Sequence, residues 1–317
     1  MIPKTRPTQP GNHLPRPVLS PSSRAAPHRE SLRHAAKSLE FHAPTPCVRK
    51  DCIPFFHDTM TISTSAPRSA VRAIVTGHTR GLGAALAQLL LQRDIDVLGL
   101  GRGAHEELAS LHGARFTQAV VDLADPAALE RWLAGDALNA FAHGAQCVLL
   151  FNNAGTVDPI APLGEQDALA IARAVTLNVA APLMLANALA ATRALSADAS
   201  RRIVHVSSGA ARNAYPGWSV YCATKAALDH HARAVALDAP AGVRICSIAP
   251  GVIDTGMQET IRATSVDQFP MRERFEQLKQ NGLLSTPEAA AQQLIDYALS
   301  DAFGSVPATD VRELGNV

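Results

Sequence analysis

From residue 70 onward, short β-rich runs alternate with longer Ala/Leu-rich stretches, and few folds accept that alternation. Strands are expected at 71–76, 95–100, 115–121, 147–151, 202–207 and 243–248. Helices are expected from 81 to about 93, near 105–111, from Asp125-Pro126 onward, and over about 166–196 and 218–238. Pro126 would sit in a first helical turn, where its missing N–H costs nothing. Several of the strands are almost wholly apolar, so both faces of the sheet must be covered, as in a parallel sheet between helical layers. Right-handed βαβ crossovers then lead to an α/β, doubly wound, three-layer architecture with its site at the carboxyl ends of the strands. Thr286-Pro287-Glu288 reads as one more helix start, and 306–310 as a last edge strand.

Residues 1–69 follow a different pattern. The first 59 hold ten prolines and nine Lys/Arg against four Asp/Glu, with no sustained apolar periodicity. This composition predicts a disordered or non-native extension, with targeting a distant rival and Met60 an alternative start. Residues 70–317 are expected to form one catalytic domain. The formal charge of the 317-residue chain is +1, so nothing in the balance calls for nucleic acid. No apolar run is expected to reach the roughly 20 residues of a membrane span. Five scattered cysteines lack metal-ligand spacing and point to a reducing, cytoplasmic setting. His78, His205, His230 and His231 form no ligand cluster and read as loop, strand or helix-surface residues, so no metal is expected.

Chemistry gathers where strands end. Gly77, Thr79, Arg80, Gly81, Leu82 and Gly83 lie where the first strand turns into a helix. Glycines there permit a tight turn and bring backbone N–H groups to a dinucleotide phosphate. Arg102 follows the second strand. Gly101 stands where an acid would otherwise hold the ribose diol, and arginine donors suit a 2′-phosphate, so NADP(H) is favoured over NAD. Asp122 and Leu123 end the third strand; Asp122 either accepts from an adenine amine or caps the next segment. Asn153, Ala154 and Gly155 follow the fourth. Asn178 is a polar residue in an apolar helix, either a satisfied core amide or part of a proton path. Tyr221 and Lys225 stand four apart on one helix face, where an ammonium favours the phenolate and lowers the tyrosine pKa. Ser208 precedes them, and Pro250 and Gly251 end the sixth strand.

In this order and at this spacing, the glycine turn, Asn152-Asn153-Ala154-Gly155, Asn178, Ser208, Tyr221-x-x-x-Lys225 and Pro250-Gly251 resemble the classical short-chain dehydrogenase/reductase family. The resemblance covers about residues 70–312 and leans towards benzil and sepiapterin reductases. It implies a Rossmann-type fold and a hydride transfer between NADP(H) and a small carbonyl or alcohol. Ser208 would bind the carbonyl, Tyr221 would act as acid/base, Lys225 would bind the nicotinamide ribose, and Asn178 would support a water relay. Ile253 and Thr255 would join the cofactor residues, and the protein would form a homodimer or homotetramer. Thr224 stands where the family often has serine. Pterin, imine, enone or acyl-carrier ketone reduction is the enzymatic alternative; a dinucleotide-responsive binding protein is the non-enzymatic one.

The substrate walls are expected from 157–166, 209–218 and 254–282, with Arg212, Tyr215 and Trp218 nearest Ser208 and Tyr221. Phe269, Met271, Phe275 and Leu278 mark either a helical lid or an amphipathic surface helix.

Overall fold

The computed structural model describes residues 69–196 and 198–316. The expected extension is 1–69, and its residues 1–68 lie outside the described residues. Within the remainder the elements run β1 (Val71–Thr76), α1 (Gly81–Gln92), β2 (Asp96–Gly101), α2 (Glu106–His112) and β3 (Phe116–Val120). Next come α3 (Pro126–Ala134), α4 (Ala137–Ala142), β4 (Cys147–Asn152), α5 (Ala168–Val175), α6 (Ala181–Ala191) and β5 (Ser200–Val206). The chain then forms α7 (Ser219–Asp238), β6 (Val243–Ala249), α8 (Gly256–Ala263), α9 (Arg272–Gln280), α10 (Pro287–Leu299) and β7 (Ala308–Asp310).

All seven strands are parallel, in the order β3-β2-β1-β4-β5-β6-β7. Strand order reverses between β1 and β4, and such a switch point opens a crevice outside the strand ends. Alternate residues of each central strand feed two cores. Ala73, Val75, Leu149 and Phe151 pack with α1 and α10, while Ile74, Val148 and Leu150 pack with α3, α4, α6 and α7. Both faces are thus dry, which is why these runs are apolar without polar alternation.

The expected 166–196 helix is one helical stretch from Ala168 to Ala191, with π-helical geometry over 176–180. This corrects one expectation. By length and composition alone these 24 residues, at mean hydropathy 1.7, are apolar enough to cross a membrane. Ala181, Leu185, Ala186 and Leu189 face the second core, and much of the other surface is open.

A third apolar cluster lies beyond the sheet. Val157, Ile160, Ala210, Trp218, Tyr221, Ile261, Phe269 and Phe275 join the loop after β4 to α7, α8 and α9. Trp218 stacks on Phe269 at 4.5 Å between ring centres and meets Tyr221 edge-on at 5.3 Å. The region 257–281 is therefore two helices anchored on the wall of the tyrosine.

Candidate active site

A cleft of about 1020 Å³ runs along the carboxyl ends of the strands. Its first part is built from main chain. Gly77 has φ +69°, a conformation that favours glycine, and its N–H donates to Leu100 O at 2.8 Å. Thr76 Oγ1 accepts from the N–H groups of Asn153 and Ala154, both at 2.9 Å. Asn153 Nδ2 donates to Thr76 O at 2.9 Å. A Cβ on Gly83 would stand 2.1 Å from Gly77 O, so α1 can start this close to β1 only through glycine. The β1 turn and the segment after β4 are thus one locked unit beneath the N-terminus of α1, where backbone N–H groups and the helix dipole favour a phosphate.

Thr79, Arg80, Gly81, Leu82, Arg102, Leu123, Gly155, Pro250, Gly251, Ile253 and Thr255 line the same cleft. Arg80 and Arg102 are exposed and make no ion pair among the described residues. Asp122 also lines it; its carboxylate accepts from Ala124 N at 2.9 Å and pairs with Arg173 at 3.5 Å, while Asp125 is the residue that caps α3. The donor set fits a dinucleotide, with two exposed guanidiniums, Arg80 and Arg102, at the cleft.

His78 lies in the loop after β1 as expected, but it is fully buried there, and its Nε2 pairs with Gln118 Oε1 at 2.8 Å. Its ring fills the space over β2, and a Cβ on Gly99 would meet it at 2.5 Å. Gln118 Oε1 also accepts from His105 N at 2.6 Å, so His78 and Gln118 shape the loop that carries Arg102. His205 is likewise fully buried. It bonds Asn152 at 3.1 Å and His231 at 3.0 Å, and burial first, then His231 and Lys225, push its pKa down to about 3. Among the described residues no group of side chains could hold a metal ion.

The second part of the cleft is built from side chains. Ser208, just past the end of β5, lines the cleft beside Tyr221, which stands one turn before Lys225 on α7. Lys225 Nζ donates to Val206 O at 2.8 Å and lies 5.8 Å from the centre of the Tyr221 ring. Burial pushes the Tyr221 hydroxyl above its ordinary value, against the pull of Ser208. This corrects the expected downward shift: here the phenol is held in its acid form, because burial disfavours the phenolate. Burial also takes Lys225 down to about 8, with Asp229 pulling the other way.

Asn178 does not line the cleft. Its Oδ1 accepts from Thr156 N at 2.9 Å, and its Nδ2 donates to Thr156 O at 2.8 Å and Thr224 Oγ1 at 3.1 Å. The amide is satisfied in the core, inside the π-helical turn and beside Gly155. Such turns recur at functional sites.

Tyr215 and Trp218 line the cleft as expected, facing Met257, Ile261, Phe275 and Leu278. Arg212 does not. Its Nε donates to the buried carboxylate of Asp229 at 3.2 Å and its Nη2 to Thr309 O at 2.7 Å, so it turns under the sheet end instead of into the pocket. Of the expected wall 157–166, only Val157 and Asp158 reach the cleft. Sequence reasoning missed Arg274, whose guanidinium lies 6.0 Å from the Tyr215 ring centre at the cleft, and it missed Asp229. Asp229 was detectable: it continues the Tyr221, Lys225 spacing by one more helical turn.

The sequence profile for short chain dehydrogenase matches residues 71–266. The chain belongs to the short-chain dehydrogenase family. Within that family it is 32% identical over 237 residues to benzil reductase ((S)-benzoin forming) of Bacillus cereus, covering 73% of this chain and 94% of the relative. To sepiapterin reductase of Meriones unguiculatus it is 34% identical over 244 residues, covering 73% and 92%. A solved short-chain dehydrogenase/reductase from Burkholderia vietnamiensis shares 56% identity, with 78% of this chain and all of that one covered at a TM-score of 0.57. As a member of this family the chain is an oxidoreductase of small molecules using a nicotinamide dinucleotide.

Proposed function

We propose that this short-chain dehydrogenase is an NADPH-dependent reductase of small carbonyl compounds, with aromatic 1,2-dicarbonyls its best substrates. The observation that carries the reading is the meeting of Ser208 and Tyr221 at one edge of an aromatic wall made by Trp218, Tyr215 and Phe275. The bound cofactor supplies the hydride to the carbonyl carbon. Tyr221, held protonated by burial, gives its hydroxyl proton to the carbonyl oxygen, and the alcohol results. Ser208 donates a hydrogen bond to the same oxygen and stabilises the charge that develops there. The Lys225 ammonium steadies the phenolate left behind, and Asn178 keeps the neighbouring backbone of Thr156 in place.

Flat aromatic groups suit this wall because ring faces and edges pair favourably at the spacings Trp218 already shows with its neighbours. The similarity to a benzil reductase and a sepiapterin reductase points the same way. The exposed apolar surface of the 168–191 helix supports a homo-oligomer that covers it, and three free cysteines among the described residues support a reducing, cytoplasmic setting.

The test is a titration with NADPH and NADH, followed by turnover of benzil and sepiapterin with the preferred cofactor. NADPH is expected to bind at least about tenfold more tightly, since a phosphate–guanidinium contact is charge-assisted. Arg102→Ala is expected to narrow that ratio. Equal affinities in the unchanged protein would remove the cofactor assignment, and no turnover of either ketone would remove the substrate class.

A further inference from the structure

The face of α7 that carries Tyr221 and Lys225 continues to Asp229. These residues follow at four-residue steps, so they stand one above another along the helix. Each meets the same stretch of chain just past β5. Tyr221 lines the cleft beside Ser208, and Lys225 donates to the Val206 carbonyl at 2.8 Å. Asp229 Oδ1 accepts from the hydroxyl of Ser207, the residue between them, at 2.7 Å.

Asp229 is 1% exposed, and a buried carboxylate is costly unless its oxygens are fully engaged. Here they are. Oδ1 also accepts from Ser247 Oγ of β6 at 2.7 Å, and Oδ2 accepts from Arg212 Nε at 3.2 Å. Arg212 in turn reaches Thr309 O of β7. One carboxylate therefore joins α7, β5, β6 and, through Arg212, β7, directly behind the serine and the lysine. Asp229 does not line the cleft, so substrate recognition does not explain it.

We propose that Asp229 is a positioning residue of the catalytic centre, holding Ser207 and thereby Ser208 in register with Tyr221 and keeping a negative charge one turn from Lys225. The proposal rests on the reductase reading for its effect on turnover, but the charge it places beside Lys225 does not depend on that reading. The groups facing Asp229 are Arg212, Ser207, Ser247 and, on its own helix, Lys225; Cys246 of β6 and Asp310 of β7 lie within electrostatic reach of the Asp229–Arg212 pair. On Lys225 itself burial lowers the proton affinity and Asp229 raises it, while the neighbouring His205 is neutral at working pH. Removing the negative charge must then lower the Lys225 pKa further. The ammonium is needed for turnover, so it would be lost at a lower pH.

The experiment compares the full-length wild type with Asp229→Asn, Asp229→Ala and Ser247→Ala. Lysine side-chain NMR of the cofactor-free protein should give Lys225 a midpoint near 8 in the wild type. Asp229→Asn should move it down by about one pH unit, the size expected for losing a nearby opposite charge. The base limb of the kcat profile for benzil reduction should move with it. Asp229→Ala should lower kcat about tenfold or more with little change in the ketone KM, since Asp229 holds the reacting groups and not the substrate. Ser247→Ala drops one donor but keeps the charge, so it should lower kcat several-fold and leave the base limb in place. An unmoved Lys225 midpoint in Asp229→Asn overturns the electrostatic half, and unchanged kcat in both Asp229→Ala and Ser247→Ala overturns the positioning half. If the Asp229 variants do not fold, Ser247→Ala decides by kcat alone, and unchanged turnover sinks the proposal. A wild type that reduces no ketone counts against the reductase reading, while the NMR midpoint still judges Asp229.

Discussion

On the β1–β3 side of the cleft the walls are main chain and glycine: Thr76 and Gly77 tied to Asn153, α1 seated against Gly77 through Gly83, and Gly99 making room for His78. On the β5–β6 side they are large side chains brought from four separate segments: Tyr215 and Trp218, Tyr221, Ile261, and Phe275. The first kind of wall recognises what every dinucleotide shares, phosphate and ribose, with donors that any sequence carries in its backbone. The second recognises shape, and shape changes with each substitution. A single protein can thus keep its cofactor chemistry while its substrate drifts, provided the two sides stay energetically separate.

Tyr221, where the two sides meet, gives the largest expected effect. Tyr221→Phe removes the transferable proton and should lower kcat by about 10²–10⁴-fold, the usual worth of a positioned general acid. NADPH affinity, followed by fluorescence, should stay within a few-fold. A parallel loss of affinity would mean that the sides are not separate.

Trp218→Ala comes next. It deletes a nearly buried ring that stacks on Phe269 and contacts Phe275, Tyr215 and Tyr221. A loss of about 3–5 kcal/mol is expected for a truncation of this kind, read by denaturant unfolding. The KM for benzil should rise more than the Kd for NADPH. Equal changes in both would break the comparison.

Gly99→Ala is the mildest and strikes the other side. Its Cβ would stand 2.5 Å from the His78 ring, so the ring must shift. About 1–3 kcal/mol of stability should be lost through overpacking. NADPH affinity should fall while the ketone KM holds, the reverse of Trp218→Ala.

The same contrast explains what could be read from residues alone. The strand–helix alternation, the parallel sheet and the glycine turn were readable because each depends on local composition: apolar runs for doubly covered strands, glycine where main chain must approach main chain. The cofactor residues expected around the turn and at the ends of the third, fourth and sixth strands all line the cleft. Arg212 was misplaced because a side chain in a loop has many partners within reach, and the buried charge of Asp229 is a stronger one than open solvent. The direction of the Tyr221 shift was misjudged for a related reason. The spacing to Lys225 is visible in sequence, but the burial of the tyrosine is not.

The sequence by itself determined the architecture, the order of the motifs and the one-turn spacing of Tyr221 and Lys225, because helical period and strand polarity are properties of neighbours along the chain. Only the tertiary structure decided that Asp229 extends that pair, that His78 packs against β2 and that α8 and α9 close the pocket on Trp218. Those contacts join residues far apart in sequence. Burial sets their strength, and burial belongs to the folded molecule as a whole.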